Sequence, residues 1–417
     1  MDLEGVFHLK DFQAFLQDAT IVRQFRELLR KFSGKKSAIV LTGAEVELPP
    51  EIESEAAHFK LRMPGKEELR DVVRSVLTSL QASNRIRINI QPDDIDNLLH
   101  SLSGMTVNQA RQSIAYVALQ DGKFDRDDIK RILERKIQSI REGGLLEYFP
   151  VEDNQFELAG FDRLKEWVRR VRIGFTPEAR TLNLPPPKGL LIAGVQGCGK
   201  SLCVKYIARE WRLPLLKLEA GRLYDKYVGE SEKNFRKAIT SAESLAPVVL
   251  WIDELEKALA GSANSEADGG LSRRLLGFFL TWLQEKRQDV FVAATANDVW
   301  SLPPELLRKG RFDEIFFVDL PRAAERTEIF RLHLRLRKQD PNRFDLQRLT
   351  EASEGFSGAE IEQALVAALY RALYEKKTLD TLLILREIEG TVPLSISRRE
   401  DIERLRRTAE GRFVKAS

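Results

Sequence analysis

Two kinds of apolar spacing alternate along the middle of the chain. Nearly continuous apolar runs, typical of buried strands, occur at residues 189–195, 247–253 and 289–297. Between them, "SLCVKYIAREW" and "SRRLLGFFLTWLQEK" have apolar residues at helical spacing. This alternation predicts an α/β domain with a parallel sheet flanked by helices. From Pro321 onwards only helical spacing remains, which predicts a helical subdomain with a last helix at 398–413.

The first part of the chain has fewer strand-like runs and more helical ones. Apolar runs at 5–12 and 37–43 predict strands. Helical spacing predicts helices at 21–32, 66–80, 92–102, 106–120 and 125–144. Gly143 and Gly144 end the last of these, and 145–156 is predicted to be a boundary. We therefore expect three regions, 1–145, 146–320 and 321–417.

Composition narrows the possible functions. The 417 residues include 66 Lys and Arg against 63 Asp and Glu, a net charge of +3. This balance argues against a nucleic-acid motor, because non-specific nucleic-acid binding usually needs a basic surplus or face. Two cysteines and four scattered histidines give neither a disulfide framework nor a zinc cluster. The small number of cysteines fits a reducing compartment. Because no apolar run reaches the roughly 18 residues that a membrane helix needs, we expect a soluble protein.

The segment "GVQGCGKS", Gly194 to Ser201, fits the phosphate-loop (Walker A) pattern G-x-x-x-x-G-K-[ST] between a predicted strand and a predicted helix. Its backbone N–H groups and the helix N-terminus suit phosphate, Lys200 is expected to reach the β- and γ-phosphates, and Ser201 to bind Mg²⁺. A chance glycine-rich loop is the alternative. The predicted nucleotide contacts here are Gly194, Gly197, Cys198, Gly199, Lys200, Ser201 and Leu202.

Acidic and amide side chains follow the next two predicted strands. "VVLWIDE" (Walker B) ends in Asp253, a candidate Mg²⁺ ligand, and Glu254, a candidate base for the attacking water. "FVAATAND" brings Asn297, a candidate for orienting that water. Two surface acids and a turn-forming asparagine are the structural alternatives. Arg308 and Arg311 follow, either as surface arginines or as charges that stabilise the transferred phosphoryl group.

Together these motifs resemble an AAA+ ATPase of the meiotic clade over residues 156–375. The resemblance is carried by "GVQGCGKS", "LWIDE", "TAND", "LLRKGRFDEIFFVDLP" and "GFSGAEIEQAL". It implies a P-loop AAA+ ATPase domain with a helical lid, ATP and Mg²⁺ as ligands, and a ring that is usually a hexamer. In such a ring Arg308 and Arg311 are arginine fingers that act on ATP held by the neighbouring subunit.

The resemblance assigns further residues. Gly358 and Ala359 replace the second-sensor arginine of other AAA+ clades, and Ala159, Gly160 and His333 match positions near the adenine. Lys226, Tyr227 and Val228, in "DKYVGESEKNFRKA", match a pore loop that grips polypeptide, although a tyrosine packed under the next helix is the alternative. Cys198 departs from the Pro-Pro-Gly-Thr usual in the loop. With this variant the chain is most similar to AAA+ proteins encoded by cyanobacteria and red-algal plastids, which implies a bacterial cytoplasm or a plastid stroma.

Segments of the first part match the second part in the same order. "GVFHLKD" aligns with "VVLWIDE", "SAIVLTGAEVELPPE" with "DVFVAATANDVWSLPPE", "HFKLRMPGKEELRDVV" with "EIFFVDLPRAAERTEIF", and "GMTVNQARQSIAYVAL" with "GFSGAEIEQALVAALY". This order predicts an internal repeat, so that residues 1–145 form a degenerate, incomplete AAA+-like module. Similar packing rules acting on unrelated segments are the alternative. Either the first copy has been shortened, or residues upstream are missing.

The first copy lacks the chemistry of the second. Lys10 and Asp11 replace the Asp–Glu pair, and Gly43 or Ala44 replaces the asparagine, depending on a one-residue gap. Because no phosphate loop precedes these residues, we expect this copy neither to bind nor to hydrolyse ATP. The chain is then expected to be an ATP-driven ring that remodels or partly threads an unidentified protein. The alternative is a nucleotide-dependent switch or assembly scaffold without threading.

Overall fold

The computed structural model describes residues 4–43, 46, 48–59, 63–83, 86–149, 158–219, 230–259, 271–286, 288–308 and 310–417. The chain divides into two compact units, Met1–Met63 and Pro64–Ser417. Within the described part, no helix combines the length and the apolar character needed to cross a membrane.

The first unit is built on a two-stranded parallel sheet. Its elements are β1 (Gly5–Lys10), a 3₁₀ helix (Phe12–Gln17), α1 (Ala19–Phe32), β2 (Ser37–Thr42) and α2 (Pro50–Glu53). Alternate residues of both strands face a small core around Leu16, Phe25 and Ile52. The residues between them, such as Val6 and Val40, are exposed. The periodicity of two therefore puts a covered face and an open face on the same sheet.

The second unit begins with a helical bundle. It contains α3 (Lys66–Ala82), β3 (Arg87–Ile88), α4 (Pro92–Leu102), α5 (Val107–Asp121), β4 (Lys123–Phe124) and α6 (Arg126–Glu142). Leucine, valine and isoleucine side chains from all four helices form one buried core, with Leu98, Ile114 and Ile132 fully enclosed. The bundle thus has its own hydrophobic core, separate from the sheet that follows.

A seven-stranded sheet follows the bundle, with strand order β11-β10-β6-β9-β8-β7-β5. Adjacent strands are parallel except for β5, which is antiparallel to β7. The strands are β5 (Leu146–Phe149), β6 (Gly189–Gly194), β7 (Leu215–Leu218), β8 (Val248–Ile252), β9 (Val290–Ala296), β10 (Glu314–Val318) and β11 (Val414–Lys415). Residues of β6, β8 and β9 are buried on both faces, as expected for central parallel strands.

Helices cover both faces of this sheet. They are α7 (Asp162–Val171), α8 (Pro177–Thr181), α9 (Lys200–Trp211), α10 (Glu230–Ser244), α11 (Leu255–Leu259) and α12 (Leu271–Glu285). One core joins α10 and α12 to the sheet, and another joins α7 and α9 to the opposite face. This arrangement confirms the predicted α/β fold with a parallel sheet.

A helical lid and a C-terminal segment complete the chain. The lid consists of α13 (Ala323–Leu336), α14 (Leu346–Ala352), α15 (Gly358–Tyr374) and α16 (Thr381–Glu389), which share a core around Phe330 and Leu365. The helices α17 (Leu394–Ser397) and α18 (Arg399–Ala409) follow. The predicted last helix at 398–413 is therefore too long, because the chain leaves the helix after Ala409 and adds β11 to the sheet.

The two copies of the predicted repeat share an unusual backbone geometry. Asp11 and Glu254, which the repeat aligns, both follow a strand and have positive φ angles of 52° and 48°. Leu9 pairs with Leu41 in one sheet, as Ile252 pairs with Ala294 in the other. These two pairs agree with the sequence alignment that matches Ala44, rather than Gly43, to Asn297. Ala44 itself lies outside the described residues.

The helices α5 and α15 also begin alike. Thr106 and Ser357 are the N-caps, and each forms a capping box with the third helical residue, Gln109 or Glu360. Gly104 and Gly355 precede them with φ angles of 75° and 78°. Because a positive φ is costly for other residues, two glycines at matching places indicate that the two turns are built in the same way.

Candidate functional site

A cavity of about 420 Å³ lies between the carboxyl ends of the sheet strands and the lid. Such an edge is where ligands usually bind in open α/β sheets. Of the residues selected from sequence, the cavity is lined by Ala159, Gly197, Cys198, Gly199, Lys200, Ser201, Leu202, Asp253, Glu254, Asn297, His333, Gly358 and Ala359. Residues from segments far apart in sequence therefore meet in one pocket.

The loop from Gly194 to Lys200 requires its glycines. Gly194 has a φ angle of 146°, and a Cβ there would overlap the carbonyl of Val318 on β10. Gly197 has a φ angle of 72° and faces Ser357 of the lid. The chain can therefore turn tightly between β6 and the N-terminus of α9, which leaves backbone N–H groups available to an anion.

Lys200 begins α9 and is buried, with 7% of its surface exposed. Its ammonium donates to the carbonyl oxygens of Gly194 at 2.9 Å and Val195 at 2.8 Å. Burial lowers the pKa of Lys200 to about 8. These contacts hold a cation directly at the phosphate loop, where it is poorly compensated until an anion binds.

Four polar residues form a continuous hydrogen-bonded path across the ends of β8 and β9. The hydroxyl of Thr295 donates to Asp253 Oδ1 at 2.6 Å and accepts from the backbone N–H of Glu254 at 3.0 Å. Asn297 Nδ2 donates to Glu254 Oε1 at 2.9 Å. Glu254 Oε2 pairs with Lys257 at 2.7 Å. Thr295 thus fixes both acidic residues, and Asn297 is in direct contact with the candidate base.

Glu256 fixes the turn that carries Asn297. Its Oε1 accepts from the backbone N–H of Asn297 at 2.9 Å and of Asp298 at 3.4 Å. Its Oε2 has no hydrogen-bond partner within the described part of the chain. Burial raises the pKa of Glu256. The start of α11 therefore aligns the asparagine at the tip of β9.

The lid contacts the phosphate loop directly. The backbone N–H of Ala359 donates to Gly197 O at 3.0 Å. This turn of α15 is held by the Ser357–Glu360 capping box, and Glu360 Oε1 also accepts from the backbone N–H of Leu394 at 2.7 Å. The phosphate loop and the N-terminus of a lid helix are therefore in direct contact.

His333 lies on the lid side of the cavity, beside two charged side chains. Its Nδ1 is 3.6 Å from Glu362 Oε1 and 3.2 Å from Arg337 NH1. Arg337 NH2 donates to Glu362 at 2.8 Å. Desolvation lowers the pKa of His333. A neutral imidazole is suited to contact an uncharged adenine ring.

Other predicted residues lie differently. Gly160 and Gly194 are not among the described residues that line the cavity. The same is true of Arg308, which is exposed, and of Arg311, whose NH1 donates to Leu280 O at 3.2 Å. The predicted pore-loop residues Lys226, Tyr227 and Val228 lie outside the described part of the chain.

The thiol of Cys198 is buried in the phosphate loop. Burial raises the pKa of Cys198 to about 12, so the group remains a thiol at neutral pH. Because the thiolate is the reactive form, the structure favours a small loop residue over a reactive cysteine.

Sequence reasoning missed two residues that shape the site. Thr295 is the polar side chain in the otherwise apolar strand "VFVAATA", and that contrast was the available signal. Phe161 lines the cavity and approaches Gly199 from a left-handed backbone position with a φ angle of 63°. No comparable signal pointed to Phe161, because the position of its ring depends on packing between distant segments.

Comparisons with known proteins agree with this geometry. Residues 190–320 match the ATPase family associated with various cellular activities (AAA). Residues 1–61 and 67–143 match the N-terminal and second domains of SpoVK-like AAA ATPases.

Individual relatives differ in how much of the chain they cover. The AAA domain-containing protein ycf46 of Pyropia yezoensis is 37% identical over 99% of this chain and 83% of its own length. The proteasome-activating nucleotidase of Archaeoglobus fulgidus is 33% identical over 48% of this chain and 51% of its own length. In fold, the chain resembles the FIGL-1 AAA domain with a TM-score of 0.54 and 21% identity, over 66% of this chain and 95% of that one.

The near full-length similarity to ycf46, the AAA match over the sheet and the phosphate-loop pocket agree with one another. The chain therefore belongs to the AAA ATPases, in the family of the ycf46 AAA domain-containing proteins.

Proposed function

We propose that the chain is a Mg²⁺-dependent ATPase that assembles into a ring, a hexamer with ATP, and remodels or partly threads a protein partner. The observation that carries this proposal is the polar path Asp253–Thr295–Glu254–Asn297, which faces the phosphate loop across one cavity. Hydrolysis of a γ-phosphate needs a metal ligand, a base and an orienting amide, and the side chains of this path supply these groups together, which supports the proposal.

The residues present fit Mg²⁺. Ser201 and Asp253 both line the cavity and offer only oxygen ligands, which suits a cation that keeps waters and takes the rest of its shell from phosphates. When bound, the ion neutralises charge that develops on the β- and γ-phosphates. Lys200 binds the same phosphates from the loop side. The remaining hydrolytic chemistry belongs to side chains of the sheet edge.

Glu254 is proposed to accept a proton from the attacking water. Asn297 contacts one carboxylate oxygen of Glu254, and Lys257 contacts the other. Because Lys257 is exposed, its ammonium can leave Glu254 Oε2 at little cost and free that oxygen for the water. Asn297 then holds the carboxylate in place and orients the water towards the γ-phosphate.

Arg308 and Arg311 are proposed to act on ATP bound by a neighbouring copy. Their places outside the cavity of their own chain support this role. The hydrogen bond between Arg311 and Leu280 O would hold that guanidinium at the subunit surface. An arginine supplied in trans contributes roughly 10³ to 10⁵ in rate in related phosphoryl-transfer systems.

The lid contact supports the coupling of hydrolysis to movement. Since Ala359 donates to Gly197, loss of the γ-phosphate would change the position of α15 relative to the sheet. The segment 226–228 is proposed to grip the partner, which is an unidentified protein. A relative that is named a proteasome-activating nucleotidase is consistent with a protein partner. The plastid and bacterial setting implied by the resemblance leads us to propose a plastid stroma or a bacterial cytoplasm.

A nucleotide-dependent switch remains the second candidate, and the direct lid contact favours it equally. Tyr227→Ala distinguishes the two. A threading motor should lose remodelling while it keeps its ATPase activity, whereas a switch should be indifferent to the change. The same assay with a tyrosine outside the segment, Tyr370→Ala on the exposed end of α15, provides the control.

The experiment that tests the ring is the solution mass of Glu254→Gln with and without ATP. Removing the base should trap ATP, so we expect a hexamer with ATP and a smaller species without it. The double variant Lys200→Met/Glu254→Gln should stay small under both conditions. A single mass for Glu254→Gln, independent of ATP, would contradict the ring.

Arg311→Ala tests the trans arginine. We expect it to bind ATP like the unmodified chain and to turn it over at least about 10³-fold more slowly. Mixing Arg311→Ala with Lys200→Met should restore part of the activity, because intact arginines then face intact pockets. Near-normal turnover by Arg311→Ala alone would contradict the mechanism.

A further inference from the structure

The metal ligand Asp253 has a cationic neighbour on the next strand. Lys217 lies on β7, directly opposite Trp251 on β8. Its ammonium is 3.6 Å from Asp253 Oδ2 and 4.8 Å from the centre of the Trp251 ring. The other carboxylate oxygen, Oδ1, accepts from Thr295. Both oxygens of Asp253 are therefore engaged by the chain itself.

We propose that Lys217 is an internal counter-ion of Asp253 and competes with Mg²⁺ for Oδ2. It is a positioning residue, because it acts through Asp253 and is not assigned a contact with nucleotide. The inference rests on the proposed function, in which Asp253 helps to hold the metal. Its consequence is that more Mg²⁺ is needed for tight nucleotide binding than the site would need without Lys217.

The surroundings of Lys217 suit reversible pairing. Its side chain is 25% exposed, and that of Asp253 is 30% exposed, so water screens the pair and limits its strength. The flexible four-carbon stem allows the ammonium to move away when a divalent ion arrives. The face of the buried Trp251 ring stabilises a nearby cation, so the ammonium stays close to the metal site after leaving the carboxylate.

The effect of the pair is expected to be modest but measurable. Partly exposed ion pairs change a binding constant by about two- to fivefold. A neutral side chain of similar length at position 217 removes both the competition for Oδ2 and the repulsion of Mg²⁺. Lys217→Met should therefore lower the Mg²⁺ concentration at half-maximal nucleotide binding by about two- to fivefold.

The test uses the full chain and a fluorescent ADP analogue, whose binding is measured in EDTA and across a Mg²⁺ titration. Lys217→Met should shift the Mg²⁺ midpoint downwards, and Lys217→Arg should keep the midpoint of the unmodified chain. Lys205→Met is the matched control, because it removes a lysine whose ammonium lies 5.5 Å from the centre of the Phe149 ring. Lys217→Gln replaces Lys217→Met if tryptophan fluorescence shows that the methionine variant is unfolded.

The outcomes separate the inference from the function on which it rests. If the unmodified chain binds the analogue and both neutral variants have its Mg²⁺ midpoint or a higher one, the counter-ion role is wrong and the proposed function stands. If the unmodified chain does not bind the analogue at all, both are wrong. A lowered midpoint in Lys205→Met as well would show a general charge effect and would also refute the specific role of Lys217.

Discussion

Without nucleotide, the protein should be less stable with Lys200 than with a neutral side chain at this position, and Lys200→Met tests this directly. The side chain is 7% exposed, and burial lowers the pKa of Lys200 from 10.5 to about 8. At about 1.4 kcal/mol per pKa unit, the buried charge costs about 3 kcal/mol of stability at pH 7. Methionine removes that cost, but it also removes two hydrogen bonds to Gly194 and Val195, worth about 1 kcal/mol each. The net expectation is a gain of about 1 kcal/mol for the variant.

The pH dependence of the difference follows from the same pKa of Lys200. Between its folded value of about 8 and the ordinary value of 10.5, the unfolded chain binds more protons at this side chain than the folded chain does. The stability of the unmodified protein should therefore rise with pH across this window. Lys200→Met lacks that contribution, so its advantage of about 1 kcal/mol should shrink above about pH 8 and reverse at about pH 9, because the neutral lysine keeps its hydrogen bonds.

Urea unfolding followed by tryptophan fluorescence measures the stability of the region that contains Lys200. All 5 tryptophans, Trp167, Trp211, Trp251, Trp282 and Trp300, lie in the region predicted as the large ATPase domain. Lys286→Met is the matched control, because burial also lowers the pKa of Lys286 to about 8 and its ammonium donates to Val290 O. Both variants should show the same pH pattern. Only Lys200→Met should lose the roughly 2.7 kcal/mol that a nucleotide at 100 times its Kd provides. A destabilised Lys200→Met at pH 7 without nucleotide would refute the reasoning.

Two further predictions concern the polar path and the helical bundle. Thr295→Val keeps the shape of the side chain but removes the hydroxyl that joins Asp253 to Glu254. Steady-state ATPase activity should therefore fall at least about tenfold, while nucleotide affinity should change less than about twofold. Unchanged turnover would show that Thr295 has no part in the mechanism. Gly104→Ala puts a Cβ into Ser244 at a φ angle of 75° and should cost about 2 kcal/mol or more in urea unfolding. Gly411→Ala, at a φ angle of 69° in open space, should cost less, and equal costs would show that the contact with Ser244 adds nothing.

The sequence was most informative where the pattern is local. Periodicity predicted the helix at 66–80, observed as Lys66–Ala82, and the strand at 37–43, observed as Ser37–Thr42. The phosphate loop could be recognised because its glycines, lysine and serine must be adjacent to form the anion cradle. The alternation of strands and helices then indicated that the polar residues lie at the ends of successive parallel strands.

The strands at the sheet edges could not be predicted in the same way. Leu146–Phe149 lies within a segment predicted to be a boundary, and Val414–Lys415 falls just after a predicted helix. Each is too short to show a period of its own, and each exists because a distant strand offers unpaired backbone groups. The same limit applies to Glu362 and Arg337, which surround His333 only after two lid helices have packed.

Two sets of contacts show that the helical bundle and the ATPase sheet belong to one compact unit. Four residues of β5 pair with β7, which continues the sheet from the end of the bundle. Lys136 of the bundle is buried and donates to Ser103 O and, at 2.6 Å, to Ser244 O at the end of α10. Burial lowers the pKa of Lys136 to about 8, yet both acceptors lie at helix C-termini, where a cation is favoured.

We propose that this attachment gives the helical bundle a mechanical role that does not depend on catalysis. Helix α10 begins at Glu230, directly after the segment proposed to grip a partner, and ends at Ser244, where the bundle is attached. A helix of this length transmits displacement along its axis, so a load at its start would be carried to the bundle at its end. The bundle, which belongs to the module predicted to be degenerate, would therefore still be required, because it anchors the far end of the helix proposed to bear the load.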